Sequence, residues 1–214
     1  MRNGIDFKLS DNETNSRLLP NFLFSEDPIC AIDLAEIKDL DKENLLPNEG
    51  MLLFYYDLKS NVNGRRFAAD KKYYRVEYLP KKKAIKGGYG LSFKAIDTYP
   101  DSDDREIIGL PLEKENPRDF QIRMLGWPII NDNVTMLLDL NRRKFDLSKG
   151  LGDIAPYVIK KAKAEGTKWI MLLQINSIDN ILEIGDYGSL YFYIREEDLK
   201  ARDFSKCYMI REEC

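Results

Sequence analysis

The chain has 214 residues, enough for one large domain or two small ones with a substantial core. Its 33 Lys and Arg against 36 Asp and Glu leave a net charge of −3, so no broad positive field exists to attract a phosphate backbone. Histidine is absent, which excludes Ser-His-Asp and Cys-His nucleophile activation, imidazole acid–base chemistry and His-ligated zinc.

Taken in order, the first twenty residues are polar and read as loop around 11–15. Residues 29–34 form a short apolar run that predicts a buried strand, with Asp33 placed to cap a helical turn behind it. Pro47-Asn48-Glu49-Gly50 signals a turn, and the apolar, aromatic run 51–56 that follows predicts a strand. Residues 61–64 read as another turn. Residues 73–79 and 91–96 both alternate, which predicts an antiparallel pair around a lysine-rich loop.

The stretch 100–117 is acidic and broken by Pro and Gly, the pattern of an exposed connecting loop. Phe120, Ile122, Met124 and Leu125 have helical spacing, stopped at Gly126-Trp127-Pro128. A short helix or strand is expected over 131–140. The clearest helix is 153–165, with Asp153 as cap, Pro156 in its first turn and Gly166 as its stop. Residues 169–175 are too uniformly apolar for an edge strand. Strands follow at 189–194 and 206–210, separated by a helical turn over 195–202.

Three cysteines, Cys30, Cys207 and Cys214, make no ligand spacing. An odd count, with no signal peptide and no apolar stretch of spanning length, points to a reducing cytoplasm. The basic run Lys81-Lys82-Lys83 with Lys86 reads as a solvated hairpin end rather than a nucleic-acid patch. Gly87-Gly88-Tyr89-Gly90 matches no phosphate-binding pattern and reads as a turn. Asp103-Asp104 and Glu196-Glu197 are neighbours whose side chains point apart, so adjacency alone builds no carboxylate site.

Two segments share one grammar: Ile32-Asp33 with Gly50 and the strand after it, and Ile175-Asn176 with Gly188 and the strand after it. Each is an apolar strand ending in Asp or Asn, a loop, then Gly and an aromatic strand. In the second, Gln174 closes an apolar strand, where an unsatisfied amide costs about 1–3 kcal/mol. Its partners are expected in the Gly185-Asp186-Tyr187-Gly188 loop as a structural clamp, or in a ligand cleft near Trp127. Tyr187, Tyr191 and Tyr193 alternate along the next strand and offer a tyrosine-bearing contact face.

The stretch from Trp169 to Ser177 and that from Gly185 to Phe204 closely resemble the YwqG-like family, bacterial proteins that mostly carry a domain-of-unknown-function label. Residues 32–37 with 46–55, and Leu125-Gly126-Trp127-Pro128, are similar to that family's first half and middle segment. The chain departs from it in lacking an early Gly-Gly-x-Pro, in having Ala31-Ile32-Asp33 where Gln-Ile-Asn is usual, and in lacking the His-Gln pair before the middle segment. The resemblance implies a mixed α+β fold with an internal duplication and no established reaction. It also brings an association with toxin–immunity loci.

The resulting expectation is an α+β fold, mostly antiparallel sheet with a few helices and a duplicated strand–loop–strand unit. Residues 1–25 are expected to be irregular and 26–214 to form one domain, with halves 26–98 and 119–214 joined by the acidic loop. The leading functional expectation is a cytoplasmic, non-enzymatic protein-interaction module, immunity-like, with a toxin-like protein partner. The alternative is a small-molecule-binding protein or an unusual hydrolase working through Asp, Glu or Tyr. Candidate partner- or ligand-binding residues are Trp127, Gln174, Asn176, Asp186, Tyr187 and Tyr191. No catalytic set, cofactor, metal, nucleic acid or membrane is expected.

Overall fold

The structure, a computed structural model, describes residues 1–11, 14–20, 27–57, 66–68, 71–99, 120–128 and 168–212. Its strands are β1 (Arg2–Ser10), β2 (Arg17–Leu18), β3 (Cys30–Asp33), β4 (Met51–Tyr56), β5 (Arg66–Ala68), β6 (Tyr74–Leu79), β7 (Tyr89–Thr98), β8 (Ile122–Leu125), β9 (Trp169–Asn176), β10 (Ser189–Arg195) and β11 (Tyr208–Glu212). Two short helices, α1 (Leu34–Ile37) and α2 (Glu196–Lys200), are the α-helices among the described residues. The fold is therefore mostly antiparallel β, and the α+β expectation is corrected. The helix expected at 153–165, the element at 131–140, the turn at 61–64 and the acidic loop at 100–117 lie outside the described residues.

All eleven strands form one sheet in the order β5-β11-β10-β9-β8-β1-β7-β2-β3-β4-β6. Its middle is β1, which pairs with β7 over nine positions, Arg2↔Thr98 to Ser10↔Gly90, and with β8 on its other side. The opening residues thus make the central strand rather than loop. Their pattern hides it: Ile5, Phe7 and Leu9 face the core, while Gly4, Asp6 and Lys8 alternate with them.

Setting β5 aside, the order is symmetric about the β1–β7 pair: β8, β9, β10 and β11 on one side match β2, β3, β4 and β6 on the other. The two strand–loop–strand units share one register. Ile32 pairs with Leu52 and Ile175 with Leu190. Leu34 N donates to Gly50 O and Ser177 N to Gly188 O, each at 2.9 Å. Phe54 stands four residues after Gly50, and Phe192 four after Gly188. These two rings meet edge-on, 5.2 Å apart, although β4 and β10 lie near opposite ends of the strand order. They meet because the sheet curls into a nearly closed, barrel-like form around one interior. The two terminal strands are also only five residues apart in sequence, a tether of about 20 Å at full stretch.

Two other expectations change. Residues 122–125 are strand, not helix: Ile122 and Met124 enter the core while Arg123 points the other way, a period of two. Leu125 and Gly126, at φ +59° and +75°, end it. Likewise β6 and β7 are not a hairpin pair, since β6 pairs with β4 and β7 with β1 and β2. The lysine-rich segment between them is a strap over the outer face of β3 and β4. Ile85 packs on Ala31, Met51, Leu53 and Tyr55, and Lys82 Nζ lies 2.9 Å from Asp33 Oδ2. At Gly88, a Cβ would stand 2.2 Å from Leu18 O, and φ is +66°, so no side chain fits where the strap lands.

Asp33 caps α1 through Ala35 N, as the sequence predicts, and also accepts from Asn15. Burial opposes its charge, but the bonds from Asn15, Lys82 and Ala35 outweigh that and hold its carboxyl below the usual range. The stability this gives is present above about pH 4 and is lost as pH falls through the lowered value. Asp33→Asn is expected to melt below wild type at pH 7, with the gap narrowing as melts are repeated down to pH 3.

At the centre of the sheet, Arg123 is fully buried and bidentate to Asp6, with Nε–Oδ1 2.6 Å and Nη2–Oδ2 3.0 Å. Asp6→Ala strands a buried guanidinium and is expected to cost about 3–5 kcal/mol in urea unfolding. Asp6→Leu combined with Arg123→Met is expected to recover most of that loss. Equal losses in the single and double variants would show that the pair itself is not the source.

Candidate functional site

The sequence-singled residues fall into three places. On the outer face, the β8–β9–β10 registers place Gln174 between Arg123 and Tyr191, and Arg123 pairs in turn with Asp6 on β1. This polar row is buried: Arg123 0%, Gln174 2%, Tyr191 3% and Asp6 8% exposed. Tyr191 donates to Glu212 Oε2 at 3.0 Å and stacks on Tyr193, which is equally buried. Tyr191 and Tyr193 are thus buried rather than presented on an exposed face. The parity that puts Tyr191 and Tyr193 on the same side as Met171 and Gln174 depends on a bulge beside Leu172, where the pairing slips by one residue.

Gln174 and Asn176 belong to a clamp. Gln174 Nε2 and Ser189 Oγ both donate to Asn176 Oδ1 at 2.9 Å, while Asn176 Nδ2 donates to Phe120 O at 3.1 Å. Next to it, Leu9 N donates to Gln121 Oε1. The network ties β1, β9 and β10 to the residues that lead into β8. Among the described residues Gln174 thus bonds Asn176, where the sequence pointed to the Gly185–Gly188 loop or to a cleft near Trp127.

Asp186 and Tyr187 lie in that loop, which the clamp anchors. Ser177 Oγ donates to Gly188 O and accepts from Ile184 N. Ile178 and Leu182 form an isolated bridge, and Ile178, Leu182 and Ile184 are buried beneath it. Gly188 is wedged so that a Cβ would stand 2.2 Å from Ile184 O and 2.3 Å from Glu212 O. Above this base Tyr187 is 78% exposed and held at φ +49°, a left-handed conformation that costs a tyrosine about 1 kcal/mol. Around it, Asp179, Glu183 and Asp186 rim a concavity of about 400 Å³.

Trp127 is elsewhere. Its backbone N–H donates to Thr98 Oγ1 at 2.8 Å and the Arg2 guanidinium lies 4.2 Å from its ring. Arg2 also donates to Trp169 O, at the far end of β9 from Asn176. About 20 Å of strand separates Trp127 from the Asp186 loop. Trp127, Gln174 and Asp186 therefore do not converge on one cleft.

The two cysteines among the described residues are poor nucleophiles. Cys30 and Cys207 are buried, and burial pushes both thiols up, away from the reactive thiolate. The Tyr193 phenol is likewise raised by burial. Sequence reasoning missed the Asp6–Arg123 pair. One signal was there: each is a lone charge between apolar neighbours, Ile5 and Phe7 or Ile122 and Met124. No composition rule says that two such residues, 117 positions apart, are partners.

The clamp and the loop rim respond differently to substitution. Asn176→Ala removes the acceptor that Gln174 and Ser189 share and the bond to Phe120 O, and is expected to cost about 1–3 kcal/mol in urea unfolding. Asp186→Ala is expected to stay within about 0.5 kcal/mol of wild type.

The family model described as "Domain of unknown function (DUF1963)" matches residues 29–214, a span that starts one residue before β3 and leaves β1 and β2 outside it. No curated protein matches the chain significantly. With most of its length covered, including nine of the eleven strands, the chain belongs to the DUF1963 family.

Proposed function

We propose that this chain is a protein-recognition module whose contact element is the 177–188 loop. The observation that carries the reading is Tyr187: a large aromatic, 78% exposed, fixed in a strained backbone by a loop whose base is buried and hydrogen-bonded. Exposed aromatics on rigid supports are typical interface anchors, because little side-chain freedom is lost on binding. Among the described residues, Tyr89 and Tyr187 are the exposed large aromatics, so the abundant tyrosine of the sequence narrows to a few positions.

The acidic rim formed by Asp179, Glu183 and Asp186 selects a partner surface that carries Lys or Arg. The YwqG-like resemblance of residues 169–204 supports placing the protein within that branch, with a cytoplasmic, immunity-like role and a toxin-like partner. No helix among the described residues is long and apolar enough to cross a membrane.

The test compares wild type, Tyr187→Ala and the triple variant Asp179→Ala, Glu183→Ala, Asp186→Ala as baits in lysate of the source cell. A protein captured by wild type is expected to bind Tyr187→Ala at least tenfold more weakly, at an unchanged melting temperature. The triple variant is expected to slow association most at low salt. Equal capture by wild type and Tyr187→Ala overturns the reading, as does recovery of no protein partner together with tight binding of a metabolite.

A further inference from the structure

The lysine strap, residues 80–88, crosses the outer face of the sheet between two fixed points. Leu79, before it, pairs with Met51, and Tyr89, after it, pairs with Leu18. Beneath it lie Ala31, Met51, Leu53 and Tyr55, an apolar patch separate from the interior of the sheet. Little holds the strap there. Among the described residues, its backbone from Lys81 to Gly87 makes a single hydrogen bond, from Lys83 N to the weakly accepting Sδ of Met51 at 3.3 Å. Its side chains add the packing of Ile85 and the ion pair from the exposed Lys82 to Asp33.

We propose that the strap is a redox-sensitive latch over Met51: it opens while the sheet stays folded, and oxidation of Met51 by a peroxide then holds it open. Opening breaks no strand pairing, since the registers at Leu79 and Tyr89 lie outside the segment. Nor does it uncap α1, because Asp33 keeps its bonds from Ala35 N and from Asn15. A segment with so few backbone bonds and buried contacts opens at a free energy well below that of global unfolding. Met51 is fully buried while the strap is closed. Once bared, its thioether takes one oxygen atom from hydrogen peroxide: the O–O bond breaks, the sulfur loses two electrons as sulfoxide, and the peroxide leaves as water. The closed strap has no room for that oxygen. An S–O bond followed by a hydrogen bond of about 2.9 Å does not fit within the 3.3 Å from Sδ to Lys83 N. Turned the other way, the oxygen meets the apolar patch, where a polar atom is costly.

The test treats the full chain with hydrogen peroxide and follows sulfoxide at each methionine by mass spectrometry. Met124 and Met209 are as deeply buried but face the interior, so they report global unfolding. Met51 is expected to oxidise at least tenfold faster than either. Lys82→Ala is expected to speed oxidation of Met51 about threefold and to leave Met124 and Met209 unchanged, whereas Lys81→Ala is expected to change none of the three. After oxidation, trypsin is expected to cut at the strap lysines at least fivefold faster than before. Met51→Leu, which keeps the volume and every other methionine, is expected to show no such gain. Oxidation of Met51 no faster than that of Met124 and Met209 overturns the proposal. So does cutting that oxidation leaves unchanged, or an equal gain in Met51→Leu.

Discussion

A charged pair sits where this sheet can least tolerate a lone charge. Asp6 on β1 and Arg123 on β8 are both withdrawn from water at the middle of an eleven-stranded sheet, and each is the other's bidentate partner. A buried guanidinium without its carboxylate is several kcal/mol worse than with it, so the β1–β8 register is pinned to the one alignment that joins them. That register carries the rest. β1 holds β7 on its other edge, β7 holds β2, and β8 holds β9. The two flanking runs of strands are thus ordered by a contact between residue 6 and residue 123.

Curling follows from that centre. Each flank carries a long apolar strand, β4 or β10, whose inward aromatics need a second surface to bury against. An open sheet would leave them exposed; the curled one brings Phe54 onto Phe192 and Tyr74 onto Phe192. The outer face is handled separately on the two flanks. Over β3 and β4 the 80–88 strap covers the apolar patch and is fixed by Lys82 on Asp33. On β8, β9 and β10 the outer face instead carries the polar row from Asp6 to Tyr191, tied in by an ion pair and by hydrogen bonds to Asn176 and Glu212.

Under the proposed reading, the contact element stands at the margin of the described sheet. The clamp around Asn176 stiffens the base of the 177–188 loop, and the loop lifts Tyr187 into solvent among acidic residues. Rigid support of that kind lowers the entropy lost on association, which is how a small aromatic contact gains weight in an interface. Tyr191 and Tyr193 are buried on β10, and the bulge beside Leu172 brings Met171 and Gln174 of β9 to their side, whereas Tyr187 lies beyond the strand and is exposed.

The sequence by itself determined the local elements whose causes are local. The apolar runs at 51–56, 169–175 and 189–194 are strands because nothing but a buried sheet accommodates them, and Asp33 caps α1 because its carboxylate reaches the Ala35 amide. The polar partner that Gln174 requires was likewise foreseeable, since a buried amide must be bonded. The roles decided by distance in space were not legible. A strand at 2–10 looks like polar loop until Asp6 meets Arg123, and 122–125 looks helical until its two faces meet different surroundings. The lysine strap looks like a hairpin end until β6 and β7 are found at different places in the sheet. Tertiary structure decided these because strand order, sheet curvature and the exposure of a tyrosine are settled by partners far along the chain. Residue spacing, which reports only neighbours, cannot encode which ones they are.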